Sequence, residues 1–191
     1  MEPEYIKGFL PNSNIFYNIL STLDWVQREN CPRAEYWDTT LGEAYTYGSG
    51  RGIRTYEPNE PSAYVQEIRL MLEDRLGFFF QGCFLNKYDT AKDHLGWHAD
   101  DDPVIDHSKP ICVITLGSPR EINWKQQGSK GIESINRLVL EPGSLFIMPP
   151  GMQQTHFHRI PKAGHHVGPR ISLTFRALHD STNIHSRLST G

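Results

Sequence analysis

From Phe78 onward the chain divides into seven short runs, FFFQGCFLNKY, ICVITLG, EINWK, RLVL, SLFIM, THFHRI and RISLTFRAL. They are rich in β-branched and aromatic residues and are separated by Gly, Pro and Asp, the punctuation of strands and turns. Seven short strands without intervening helices indicate a sandwich or jelly roll.

Helical spacing is confined to the N-terminal part. Asn12 or Ser13 can cap a helix whose stripe is Ile15, Phe16, Ile19, Leu20 and Leu23. Pro61 and Ser62 open a second, with Val65, Ile68, Leu72 and Leu76 on one face and Gly77 as its stop. Both read as scaffold. Between them, residues 31–61, including AYTYGSGRGIRTYEP, read as hairpins and loops that can flank a binding site. The fold class is thus α+β, mainly β, in a single domain of 191 residues, with helices and a flap in 1–77 and the β core in 78–178. The tail HDSTNIHSRLSTG reads as frayed.

Three widely spaced cysteines, Cys31, Cys83 and Cys112, form no disulfide or zinc-finger pattern and fit a reducing compartment. The first residues lack a basic region followed by an apolar one, and no apolar run nears the roughly 20 residues of a membrane span. The expectation is a soluble, intracellular monomer. A net charge of −3 argues against non-specific coating of nucleic acid, so any such contact must be local. Arg51 and Arg54, then Arg120, Lys125, Lys130 and Arg137, then Arg159 and Lys162 read equally as solvated charges or as a phosphate track.

The chemistry concentrates in two places. His98-Ala99-Asp100 is an H-x-D element, and alternation along extended backbone puts imidazole and carboxylate on one face. THFHRI adds His156 and His158, which share parity, so one of the two can complete a set of two histidines and a carboxylate. Such a facial set leaves positions open on Fe(II) for a cosubstrate and oxygen. In RISLTFRAL, Arg170, Ser172, Thr174 and Arg176 face one way and Ile171, Leu173 and Phe175 the other. Two arginines roughly 20 Å apart along the strand, both reaching inward, leave a gap for a short dicarboxylate, which a guanidinium fork binds bidentately.

Taken in order, NKY (86–88), GWHADDD, LEPGSLFIM, HFHRIP and PRISLTFR resemble the motifs of AlkB-type dioxygenases over most of the chain. The resemblance implies a double-stranded β-helix (jelly-roll) core with N-terminal helices and a substrate lid. It implies Fe(II) on His98, Asp100 and His158, with 2-oxoglutarate held by Asn86, Tyr88, Arg170 and Arg176 and O2 as cosubstrate. A methylated base would contact Tyr45, Tyr47, Asp102 and Arg33, with Tyr47 stacking over His98. The implied reaction is oxidative removal of N-methyl groups, as in N1-methyladenine and N3-methylcytosine, from DNA or RNA, releasing formaldehyde, succinate and CO2. The rivals are the same chemistry on methylated RNA, a protein or a small molecule, and a cupin-like binding module. VQRENCPRAE lacks an apolar wedge for opening a duplex, so a single strand is the expected form of the partner.

Overall fold

A computed structural model describes residues 2–11, 14–47 and 53–179. The expected caps Asn12 and Ser13, Arg51 of the basic track, and the tail from 180 onward lie outside the described residues. All seven expected runs from Phe78 onward form strands. In chain order they are β6 (Gly82–Tyr88), β8 (Ile111–Gly117), β9 (Arg120–Gln126), β10 (Asn136–Leu140), β11 (Leu145–Met148), β12 (His156–Ile160) and β13 (Arg170–Arg176). Six strands precede or interleave with these: β1 (Glu4–Ile6), β2 (Val26–Gln27), β3 (Ala34–Thr39), β4 (Tyr45–Tyr47), β5 (Arg54–Tyr56) and β7 (Leu95–His98).

They build a seven-stranded sheet, β1-β11-β8-β13-β6-β3-β2, facing a four-stranded sheet, β10-β9-β12-β7, with β4 and β5 as a separate hairpin. Every pairing among these strands is antiparallel. This is the jelly-roll core. Because side chains alternate, β13 buries both faces: Ile171, Leu173 and Phe175 pack into a cluster with α1 (Ile15–Thr22) and α2 (Ala63–Leu76), while Arg170 and Arg176 are buried on the other face. A second cluster, including Ile122, Trp124, Phe146 and Ile160, fills the space between the sheets.

The helices form where the spacing placed them. Ile15 and Ile19 are buried on α1; Val65, Ile68 and Leu72 are buried on α2. Gly77 ends α2 in the left-handed conformation at φ 75°, its N–H donating to the Glu73 carbonyl, a stop that suits a residue without a Cβ. Ser62 stands at the N-cap without a side-chain capping bond; its own N–H donates to Asp38 Oδ2 at 2.8 Å.

The reading of 31–61 as hairpins and loops holds for the β4–β5 hairpin and is corrected at Ala34–Thr39. Ala34–Thr39 is a strand of the major sheet with all six residues buried, paired along its length with β6. Its charged residues obscured it. Asp38 is paired with Arg69 of α2, and Glu35 with Arg33, all four within the interior. At Gly82 an added Cβ would lie 2.3 Å from the Trp37 ring, so the neighbouring strand needs glycine there for the indole to pack. Among the described residues no helix is long and apolar enough to cross a membrane.

Candidate active site

The register of β12 against β7 places His158 opposite His98, and two residues on from His98 the chain brings in Asp100. Their ligand-type atoms lie within 4.8 Å of one another. The His98 and His158 rings are 4.2 Å apart between centroids, and His158 Nε2 is 3.7 Å from Asp100 Oδ2. His156 is apart from this group, its Nδ1 engaged with the Thr155 hydroxyl at 2.8 Å.

The electrostatics keep the three groups in metal-ligating form. Burial, reinforced by the neighbouring His98, drives the His158 imidazole down to about 3, so it stays neutral with a free lone pair. Burial likewise lowers His98. Burial pushes the Asp100 carboxyl up, but Arg176, His158 and His98 together outweigh it and hold the group below the usual carboxylate range. Two neutral imidazoles beside a carboxylate suit a divalent transition ion. Outer contacts fix the set: His98 Nδ1 is 2.9 Å from the Gly96 carbonyl, and Gln153 Oε1 accepts the Asp100 N–H at 3.0 Å. Gln153, from the short helix α3 (Met152–Thr155), escaped the sequence reading because nothing in its local pattern marks a residue that holds Asp100.

Arg176 donates from Nη2 to Asp100 Oδ1 at 2.6 Å, and Arg170 from Nη2 to the Thr115 hydroxyl at 3.0 Å. Among the described residues the Nε and Nη1 of both guanidinia are buried without a hydrogen-bond partner, as is the Tyr88 hydroxyl. Arg170 lies over the Tyr88 ring at 5.2 Å, and burial lowers it to about 10, so it keeps its charge near neutrality. Unmet donors on two buried cations are costly unless an anion meets them, and a dicarboxylate such as 2-oxoglutarate fits that demand.

A pocket opens over this floor, lined by Arg33, Tyr45, Tyr47, Phe84, Asn86, Leu95, His98, Asp100 and Arg176. A second, adjoining depression shares Tyr45, Tyr47, His98 and Asp100 and adds Asp101, Asp102 and Phe157. Tyr88 and Arg170 are fully buried and line neither. Tyr45 is 5% exposed and stacks on Trp37 at 4.8 Å, whereas Tyr47, parallel to Tyr45 at 6.4 Å, is the more open of the two. Asp102 accepts the Val104 N–H at its own turn. Arg33 is committed internally, donating to Asn86 Oδ1 at 2.7 Å and Glu35 Oε1 at 2.6 Å. Glu35, which the sequence reading missed, also accepts the Tyr56 hydroxyl and so ties the β4–β5 hairpin to the pocket wall.

The fold and the site together define a class, and comparison with known proteins agrees with it. The chain belongs to the 2OG-Fe(II) oxygenase superfamily, whose family model matches residues 18–176. Its similarities lie with AlkB-type members. It is 28% identical over 184 residues to alpha-ketoglutarate-dependent dioxygenase alkB homolog 3 of Bos taurus, covering 87% of this chain and 61% of that protein. It is 26% identical over 182 residues to DNA oxidative demethylase ALKBH2 of Mus musculus, covering 93% and 71%. The chain thus spans about three fifths of the length of the first of these relatives. A solved structure titled "The structure of OsALKBH1" shares the fold at a TM-score of 0.65 and 17% identity, covering 93% of this chain and 96% of that one.

Proposed function

We propose that this chain is an Fe(II)- and 2-oxoglutarate-dependent oxidative demethylase that removes N-methyl lesions, such as N1-methyladenine and N3-methylcytosine, from DNA. One observation carries the reading: a His-Asp-His cluster, two of whose members line an aromatic pocket, is joined through Asp100 to a buried arginine with unmet donors. Relatives named as alpha-ketoglutarate-dependent dioxygenase and DNA oxidative demethylase support it.

In this reading His98, Asp100 and His158 hold the iron, and Arg170, Arg176, Asn86 and Tyr88 hold 2-oxoglutarate. When bound, these groups together with O2 supply the oxidation that turns the N-methyl into an unstable hydroxymethyl, lost as formaldehyde, while 2-oxoglutarate becomes succinate and CO2. The work of the chain is to place and shield. Tyr47 offers a face on which a flipped base can stack. Asp102, at the outer rim, favours the positive charge of N1-methyladenine or N3-methylcytosine. Arg33 acts through Asn86, fixing its side chain. Residues 1–191 act as one catalytic domain, since β1, β2 and β3 share the sheet that carries β6 and β13.

A single strand is the preferred form. The segment after the exposed Val26 makes a polar turn in which Gln27 bonds the Cys31 carbonyl and Arg28 lies over the Tyr56 ring at 4.4 Å, leaving no large apolar wedge to replace a base extruded from a duplex. Turnover of matched oligonucleotides carrying one N1-methyladenine tests this. Single-stranded DNA should react fastest, with the gap to duplex narrowing opposite a mismatch. Equal rates on paired duplex would remove the strand preference, and faster turnover of the matched RNA would move the substrate to RNA.

A further inference from the structure

Arg120, Lys125 and Arg159 of the basic track have different fates in the fold. Arg120 is buried and spends its donors on the Asp93 and Pro161 carbonyls. Lys125 and Arg159 instead meet over one aromatic ring: Lys125 Nζ is 4.8 Å and Arg159 Cζ 4.5 Å from the centre of Trp97.

Their position follows from strand parity. Trp97 precedes His98 on β7, and Arg159 follows His158 on β12. With the two histidines directed between the sheets, Trp97 and Arg159 lie on the outward face of the four-stranded sheet. In register, Lys125 stands opposite Phe157, and Phe157 lines the outer depression beside Tyr47 and Asp102. Arg137, exposed, is partnered with Asn123 on the same face. A continuous row therefore leads from the pocket mouth through Phe157, Lys125, Trp97 and Arg159 toward Arg137.

Among the described residues none of these three cations forms an ion pair. Glu121 beside the row accepts from Asn123 Nδ2 at 2.7 Å, and Asn123 Oδ1 accepts Arg159 Nε at 2.9 Å. On a chain of net charge −3, unpaired cations gathered beside an aromatic ring call for an anionic partner. The indole holds both side chains in place, which reduces the ordering cost when a phosphate arrives.

We propose that this outward face, centred on Trp97, Lys125 and Arg159, binds the phosphodiester backbone of the single DNA strand flanking the base in the pocket. The inference rests on the nucleobase reading above. It assigns Lys125 and Arg159 to positioning of the strand. Strand binding here is sequence-independent and strongly salt-dependent.

The test is fluorescence anisotropy with a labelled single-stranded oligodeoxynucleotide carrying one N1-methyladenine. The protein is loaded with Fe(II) and 2-oxoglutarate and kept anaerobic, and the salt concentration is varied. Losing two phosphate contacts should flatten the slope of log K against log salt by about 1.4 in Lys125→Gln/Arg159→Gln, so between roughly 50 and 200 mM salt the unaltered protein loses about sevenfold more affinity than the variant. A charge-matched variant, Lys7→Gln/Arg75→Gln, removes cations already paired with Glu141 and Glu4 and should keep the full slope. An unchanged slope in Lys125→Gln/Arg159→Gln, with tight binding by the unaltered protein, overturns the strand track and leaves the demethylase reading standing. So does equal flattening in the charge-matched control. If the unaltered protein neither binds nor demethylates any methylated oligonucleotide, the nucleobase reading falls and this inference falls with it.

Discussion

His98 and His158 are direct partners across two antiparallel strands, their rings 4.2 Å apart, and this register sets which histidine joins Asp100. Two residues earlier, His156 pairs with Gln126 on the opposite neighbour and bonds Thr155. Co(II), a redox-stable stand-in for Fe(II), should therefore raise the melting temperature of the unaltered protein and of His156→Ala. At a hundredfold excess over Kd the gain is about 2.7 kcal/mol. In His158→Ala the rise should vanish or shrink sharply. The reverse ranking would shift the ligand by two residues.

Arg170 ties stability and function together with opposite signs. It is fully buried with Nε and Nη1 unmet, so without an anion it is a burden on the fold. Arg170→Met should leave the ligand-free protein as stable or slightly more stable, because an apolar chain of similar length replaces a poorly satisfied charge. Its affinity for 2-oxoglutarate should fall by roughly 10- to 150-fold, the loss of a charge-assisted bond of about 1.5–3 kcal/mol. Arg170→Lys should recover only part of this, since an ammonium cannot reproduce the fork. Urea unfolding and isothermal titration with 2-oxoglutarate check the two halves; unchanged affinity in Arg170→Met would remove the residue from the cosubstrate site.

The two tyrosines of the hairpin should also separate. Tyr45 is buried against Trp37 and Phe84, so Tyr45→Ala should cost about 3–5 kcal/mol of stability through the cavity it leaves. Tyr47 is half open on the pocket wall, so Tyr47→Ala should unfold near the unaltered protein yet bind a methylated single strand about 1–3 kcal/mol less tightly, with Tyr47→Phe restoring it. Denaturant midpoints and oligonucleotide affinities read the difference. A large stability loss in Tyr47→Ala with no change in binding would make it a packing residue.

The contrast between β13 and β3 shows what a sequence can disclose. RISLTFR alternates apolar and polar residues with no break, so both its strand character and the shared face of Arg170 and Arg176 are legible from period two alone. AEYWDT is just as buried, but its Glu35 and Asp38 look like surface residues until Arg33, Tyr56 and Arg69 are brought to them by the fold. Asp38 and Arg69 are 31 positions apart, and no local pattern announces such a pairing. The same holds at the site. H-x-D carries its meaning in its spacing, whereas the choice between His156 and His158 depends on where β12 meets β7. The meeting of Lys125 and Arg159 over Trp97 depends on the order of three strands, which spacing does not encode.

The most direct test of the central claim is to count products from one methylated single-stranded oligonucleotide under Fe(II), 2-oxoglutarate and O2. Formaldehyde and succinate should appear one for one with restored adenine. Asp100→Ala should lose nearly all of this turnover while retaining its β-rich circular dichroism, since the carboxylate, held by Arg176, is the only acid in the His-Asp-His cluster. Full turnover in Asp100→Ala, or succinate formed with no formaldehyde on any methylated DNA or RNA strand, would contradict the account.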